Sequence, residues 1–241
     1  MTPATYFNSL NQPIGEALPD WKPAAQPRRI TLHGNYCRLE PLDPPQHADS
    51  LFEANDDNIA MWTYLPYGPF ATRAEYRAWV DGVAQSEDAL FFAIVDLRSG
   101  RAIGLASYLR VAPAIGSIEV GQLAFSPALQ QRTAATEAMF LMMQEAFALG
   151  YRRYEWKCNA LNQPSRRAAQ RLGFSFEGVF RQANIVKGRN RDTAWYSVID
   201  SEWPALSNVF TQWLAPTNFT PDGAQLLSLS AMTAPLLMQR G

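Results

Sequence analysis

Two stretches of this 241-residue chain carry residues whose types and spacing suit chemistry. The first is Gln130-Gln131-Arg132-Thr133-Ala134-Ala135, followed by Thr136-Glu137-Ala138. It stands where a strand-like run, Ser117 to Phe125, gives way to apolar residues at helical spacing: Ala134, Ala135, Ala138, Met139, Leu141, Met142 and Ala146. A helix that begins here leaves its first N–H groups free, and those groups together with the helix dipole hold an anion such as a pyrophosphate. Ala134 and Ala135 are small enough for phosphates to approach the backbone. Thr133 restricts the turn but offers a hydroxyl of its own. The second stretch runs from Asn162 to Gly178 and includes Ser165, Arg166, Arg171 and the pair Gly173-Phe174. Just ahead of it, Cys158 invites a nucleophile reading. No His or second base stands near it in sequence, and a buried structural cysteine is the commoner case.

Composition narrows the alternatives. With 47% hydrophobic residues the chain can bury a large core, and 21 basic against 22 acidic residues leave a net charge of −1. Two cysteines and two histidines exclude a disulfide framework, a four-cysteine zinc site and a histidine-rich centre, so no metal is expected. No apolar run of about 18 residues appears, so no membrane partner is expected. Met1 to Pro27 also lacks a signal-peptide layout, which makes a cytoplasmic location the expectation. The charge balance weighs against a nucleic-acid partner. It also conceals a split. Residues 130–192 hold 11 Lys/Arg and 5 Asp/Glu, whereas residues 40–88 hold 2 Arg and 10 Asp/Glu. A basic segment suits a polyanionic ligand, an acidic one a cationic ligand, and solvated faces give the same pattern.

The elements that must position these residues follow from the punctuation. Residues 1–28, rich in proline, read as an irregular arm anchored by Trp21. Strands are expected at 29–32, 36–39, 89–96, 102–111, 117–125, 152–158, 174–181 and 193–199, and helices at 46–55, 73–85, 133–149, 164–172 and 202–214. An aromatic loop, Trp62 to Phe70, is either a hydrophobic plug or a pocket wall. The tail, 215–241, shows no consistent pattern. The domain proper is thus 29–214. The early strands form an antiparallel meander, and from Ser117 onward the pattern becomes strand–helix–strand, an α+β class.

The first stretch resembles the acyl-CoA-binding motif of the GNAT N-acyltransferases, Gln/Arg-x-x-Gly-x-Gly/Ala, with Thr133 where the family usually has glycine. The second is similar to the Asn-x-x-Ser-x-x-x-Ala-x-x-x-Gly-Phe-x-x-Glu-Gly signature of the ribosomal-protein (RimJ/RimL) group of that superfamily. Leu39-Glu40-Pro41-Leu42, the 62–70 loop, Gly188, Arg191-Asp192, Tyr196-Ser197 and Glu202-Trp203 follow the same group's pattern, so the resemblance spans about 29–205 in order.

The resemblance implies a mostly antiparallel central sheet, flanked by helices and splayed between its fourth and fifth strands, 117–125 and 152–158. Pantetheine of acetyl-CoA, or another acyl-CoA, enters that gap as an added strand. Backbone groups of Leu123 and Phe125 then hold its amides, and Gln130, Gln131, Arg132, Thr133, Ala134 and Ala135 form the pyrophosphate site. Asn162 bonds a pantetheine amide, or else caps the helix beginning at Pro164. Arg166 and Arg171 are phosphate neighbours, or else solvated helix arginines.

The implied reaction is direct acyl transfer, acetyl first and succinyl as an alternative, to a primary amine such as a protein N-terminal α-amine. A non-catalytic CoA-binding module is a further alternative. An ammonium must lose a proton before attack. Glu119 is the expected base, placed by period-two alternation on one face with Gly121, Leu123 and Phe125; a solvated or ion-paired carboxylate is the other reading. No Tyr stands in 162–173 to protonate the departing thiolate. Ser165 is the expected partner, or a mere helix-start serine, with Tyr196 as a weaker option. The acidic 40–88 segment points to a cationic acceptor. Monomer and homodimer both stay open.

Overall fold

The computed structural model describes residues 5–55 and 58–241; Pro3 of the arm and Asp56 and Asp57 of the acidic segment lie outside them. After a two-residue ribbon, β1 (Tyr6–Phe7) with β2 (Pro13–Ile14), the chain builds an eight-stranded sheet. Its strands are β3 (Leu32–His33), β4 (Cys37–Pro41), β5 (Ala89–Asp96), β6 (Ala102–Ala112), β7 (Ser117–Phe125), β8 (Arg153–Asn159), β9 (Ser175–Val186) and β10 (Arg189–Ile199). Their order is β3-β4-β5-β6-β7-β8-β10-β9, and every pairing is antiparallel except β7 with β8.

Helices α1 (Pro44–Asn55) and α2 (Arg73–Ala84) cover one face through Leu51, Tyr76 and Val80, which meet Phe91, Ala93 and Leu105 of the sheet. Helices α3 (Thr133–Ala148) and α5 (Trp203–Leu214) cover the other, where Met142 and Phe210 pack on Tyr108, Ile118, Val120 and Tyr154. Since β7 and β8 run parallel, a crossover must join them, and α3 supplies it.

That crossover is anchored by Glu137. Its buried carboxylate accepts N–H groups of Asn35 (2.7 Å), Tyr36 (2.7 Å) and Cys37 (2.8 Å), fixing α3 to the β3–β4 turn. Gly34 makes room for it, because a Cβ there would lie 2.4 Å from the carboxylate. Helix α4 (Gln163–Arg171) ends in a Schellman turn: Phe174 N–H bonds Ala169 C=O and Gly173 N–H bonds Gln170 C=O. Gly173 takes φ +87°, and a Cβ would meet Leu206 at 2.5 Å.

The parallel pair forks. Ser117 to Val120 align with Arg153 to Trp156, and the pairing ends there. Gln122 causes the divergence: it adopts φ +55°, and the β6–β7 register slips between Leu105 and Ser107, a bulge that redirects the strand. Beyond the fork β7 keeps only β6 and β8 keeps only β10, so their inner edges face each other unpaired.

Several segments differ from the sequence expectations: the strand expected at 29–32 is only Leu32–His33, and the arm read as irregular carries the β1–β2 ribbon. The β9–β10 ribbon is longer than 174–181 and 193–199, because residues 182–192 extend it with largely exposed polar residues. A ribbon that buries neither face shows no alternation. The tail, unassigned from sequence, forms α6 (Leu229–Thr233) and returns to β9, with Met238 N–H donating to Ser175 Oγ (2.9 Å) and Phe176 N–H to Gln239 C=O (3.0 Å). Trp21 does hold the arm, donating to Ala114 C=O at 3.1 Å.

Candidate active site

The fork opens a cleft of about 210 Å³. Its walls are Met61, Tyr64, Leu65 and Pro66 from the α1–α2 connection, Leu109 and Arg110 from β6, and Glu119 to Leu123 from β7. Trp156 to Asn159 of β8, Asn162 and Ser165 at the start of α4, and Asn184, Arg191 and Thr193 from the β9–β10 ribbon complete it. Two contacts tie the walls together across the cleft: Lys187 Nζ donates to Trp62 C=O (2.7 Å), and Tyr64 Oη to Leu161 C=O (3.3 Å). The aromatic loop is therefore both plug and wall. Trp62 and Phe70 pack with Tyr67, Tyr76 and Trp79, while Tyr64, Leu65 and Pro66 line the cleft.

Glu119 lies at the base of this cleft, buried, with Arg110 Nε 2.8 Å and Lys157 Nζ 2.9 Å from Oε2. Both cations sit at ion-pair distance, yet neither is aligned for a hydrogen bond to that oxygen. Strand register sets Glu155 directly beside Glu119, and Lys157 separates the two carboxylates, reaching Glu155 Oε2 at 2.7 Å. Lys157 also lies 3.5 Å above the ring of Trp195, its partner across β8–β10. The outcomes for the two acids are opposite. Burial drives the Glu119 carboxyl above its ordinary value, more than Lys157 and Arg110 pull it down. At Glu155 burial also pushes upward, but hydrogen bonds from Lys157 and Arg153 outweigh it and hold the carboxyl low. A carboxylate with raised affinity for a proton, in a cleft, is suited to general-base work.

The alternation expected for β7 does not hold through the strand. The bulge at Gln122 reverses it: Glu119 and Gly121 share a face with Ala124, whereas Leu123 and Phe125 turn toward the α3 side with Ile118 and Val120. Leu123 still lines the cleft, and Phe125 does not. The Phe125 carbonyl already accepts Gln130 Nε2 at 2.8 Å, so a pantetheine amide must share or displace that bond.

In the 130–135 turn, Gln130, Arg132 and Ala135 spend their N–H groups on Ser126, Leu129 and Arg132 carbonyls, respectively. Among the described residues, the N–H groups of Gln131, Thr133 and Ala134 have no backbone partner. Gln131 takes φ +59° to form the turn. No side chain caps this helix start, an arrangement that suits an anion.

Asn162 is the cap of α4: Oδ1 accepts Ser165 N–H at 3.2 Å, while its Nδ2 has no partner among the described residues. Ser165 Oγ accepts Trp156 Nε1–H at 3.1 Å, which leaves its O–H to donate. Arg166 Nε donates to Tyr196 Oη and its Nη1 to Ala160 C=O, both at 3.1 Å, while its Nη2 has no partner among the described residues. Arg171 is likewise held, by Thr136 Oγ1 at 3.0 Å. Tyr196 is fully buried beneath Arg166 and does not line the cleft. Cys158 lines the cleft, but burial pushes its thiol upward despite Ser165, Arg166 and Arg191, contrary to what a nucleophile needs.

The described carboxylates of the acidic segment stand apart from this cleft; Glu40 pairs with Arg38 and His47, and Glu53 with Arg73 and Arg101. The cations that do line it, Arg110, Lys157 and Arg191, were missed from sequence. Only Arg110 carries a signal there, as the lone charge of its strand; Lys157 and Arg191 stand among other charges on β8 and β10.

The chain's residues 37–175, more than half of it, match the acetyltransferase (GNAT) domain family. Comparison with curated proteins finds no match. Among solved structures, a GCN5-related N-acetyltransferase from Brucella melitensis is 50% identical with TM-score 0.88, covering 90% of this chain and 100% of that one. A probable acetyltransferase (GNAT family) from Chromobacterium violaceum ATCC 12472 is 40% identical with TM-score 0.76, covering 80% and 98%. An acetyl transferase from Salmonella typhimurium that modifies the N-terminal serine of 50S ribosomal subunit protein L7/L12 shares the fold at 22% identity, with TM-score 0.61 and coverage of 70% and 99%. Family match, sheet topology and high-identity relatives agree: the chain belongs to the GNAT acetyltransferase family and is an acyl-CoA-dependent N-acetyltransferase.

Proposed function

We propose that the protein transfers an acetyl group from acetyl-CoA to a primary amine by direct attack, with both substrates bound together. The observation that carries this reading is the position of Glu119, a buried carboxylate of raised proton affinity at the point where β7 and β8 part. The thioester supplies an electrophilic carbonyl carbon. Unpaired edges beyond Val120 and Trp156 suit the pantetheine amides, with Leu123 and Asn162 nearest the cleft. The N–H groups of Gln131, Thr133 and Ala134 suit the pyrophosphate, and Arg132 stands exposed beside them.

Glu119 takes the proton of the incoming ammonium, directly or through water. The amine nitrogen then bonds the carbonyl carbon, and the C–S bond breaks. Ser165, oriented by Trp156, donates its O–H hydrogen bond to the departing thiolate. A free thiol titrates near about 8.5, so this help is modest.

The Asn162-to-Gly178 signature supports a place near the ribosomal-protein group, in which a protein N-terminal α-amine is the acceptor; a small amine fits the same chemistry. Titration calorimetry with acetyl-CoA and succinyl-CoA, followed by thiol release over an amine panel, tests the reading. Acetyl-CoA binding and amine-dependent thiol release are expected. Faster turnover of succinyl-CoA overturns the donor, and binding with no release on any amine overturns catalysis in favour of a CoA-binding module.

A further inference from the structure

The cleft lining holds one carboxylate and three cations, and the cations are not equally satisfied. Arg110 is spent on Glu119, and Lys157 is shared between Glu119 and Glu155. Arg191 differs. It enters from β10 beside the register shift between Arg191 and Thr193, and no carboxylate among the described residues pairs with it. Its Nε is buried and has no hydrogen-bond partner. It lies close enough to Glu119, Arg110 and Cys158 to feel their charge, which puts the guanidinium by the base and by the mouth of the fork.

A half-buried guanidinium without a partner is costly unless a ligand satisfies it, and its planar fork matches a carboxylate or phosphonate. The positive excess of the cleft is therefore concentrated on one group, at the acceptor end. A polyamine or aminoglycoside would bring further like charge to that position.

We propose, resting on the acetyltransfer reading above, that the acceptor carries an anionic group a short carbon chain from its reactive amine, and that Arg191 binds this group. The acceptor class is an amino acid or a related amino-carboxylate, amino-phosphonate or amino-sulfonate. Such a molecule presents its ammonium to Glu119 and its anion to Arg191, filling both halves of the cleft with complementary charge. The acceptor expected from the acidic 40–88 segment is a net cation, whereas this class carries an anion beside its ammonium.

The test uses the full chain, acetyl-CoA and matched pairs that differ only in the anion: amino acids against their amides, β-alanine against propylamine, aminomethylphosphonate against methylamine, and taurine against ethylamine. Spermidine and an alanyl peptide amide serve as cationic and N-terminal comparators. For at least one pair, kcat/KM is expected to favour the acid by about tenfold or more, the factor that about 1.4 kcal/mol represents. Arg191→Gln should bring that ratio close to one, Arg191→Lys should restore part of it, and the KM for acetyl-CoA should not move in either.

Acids no better than their neutral partners, or acetyl-CoA binding with no anionic amine acetylated, overturn the proposal. A preference that survives Arg191→Gln overturns the assignment to Arg191. Absence of both acetyl-CoA binding and thiol release with every amine is a different failure, that of the acetyltransfer reading itself. The wild-type ratio decides the acceptor class whether or not the glutamine variant folds.

Discussion

The proposed CoA site and the proposed amine site are made from different materials. Around the start of α3 the groups available to a ligand are backbone N–H groups and strand edges, contributed by one short stretch of chain from Leu123 to Ala135. Around Glu119 they are side chains, brought from β6, β7, β8 and β10 by sheet register. On the proposed reading the backbone end recognises what every acyl-CoA shares, its amides and pyrophosphate, and the side-chain end meets the acyl group and the amine, where relatives can differ while the fold stays fixed. The same contrast appears within the side-chain end. Glu119 and Glu155 are register neighbours that share Lys157, yet one is left with a raised carboxyl and the other a lowered one, because burial is deeper at Glu119 and hydrogen bonds from Lys157 and Arg153 outweigh it at Glu155.

If the two ends are separable, substitutions should split between kcat and KM. Glu119→Gln is expected to have the largest effect, a loss of about 10²–10⁴ in kcat with little change in the KM for acetyl-CoA, measured by steady-state thiol release. A rise in KM instead would merge the two ends. Glu137→Ala acts on the scaffold behind the backbone end. It strands three N–H groups, buried at Cys37 and part-buried at Asn35 and Tyr36, and should cost about 3 kcal/mol in urea unfolding. Thr133→Asp places a negative charge at the free helix start. An increase of about tenfold in the KM for acetyl-CoA is expected, with kcat at saturation preserved. Gln130→Ala should have the smallest effect, lowering that KM by about twofold by freeing the Phe125 carbonyl; an increase would show that Gln130 itself holds the cofactor.

The division also explains what could be read from sequence. The backbone end was legible because a strand, a turn and a helix start follow one another in the chain. The 130–135 run, the Asn162 cap and the glycine stop at Gly173 are local signals with local causes. The face of Glu119 relative to Phe125 was misread, since one left-handed residue, Gln122, breaks the alternation on which it rested. Charge along the chain misled for a related reason. Within the acidic segment, Glu40 of β4 is paired by Arg38 and Glu53 of α1 by Arg73 and Arg101, whereas the charges that meet in the cleft, Arg110, Glu119, Lys157 and Arg191, come from four strands and are brought together only by the assembled sheet. Lys157 gave no signal of its own until register set it between Glu119 and Glu155.

On the proposed mechanism, Glu119 must be free of its own proton before it can deprotonate the attacking amine. Its carboxyl is raised, so activity should be full well above that pKa and fall as the pH drops through it. The pH dependence of kcat at saturating acetyl-CoA and amine measures this in the bound complex. Wild-type enzyme is expected to show an acid limb with its midpoint above the ordinary glutamate value of about 4.3. Glu119→Gln, at its reduced rate, should lack that limb. An unchanged limb in the glutamine variant would contradict the assignment and place the base elsewhere.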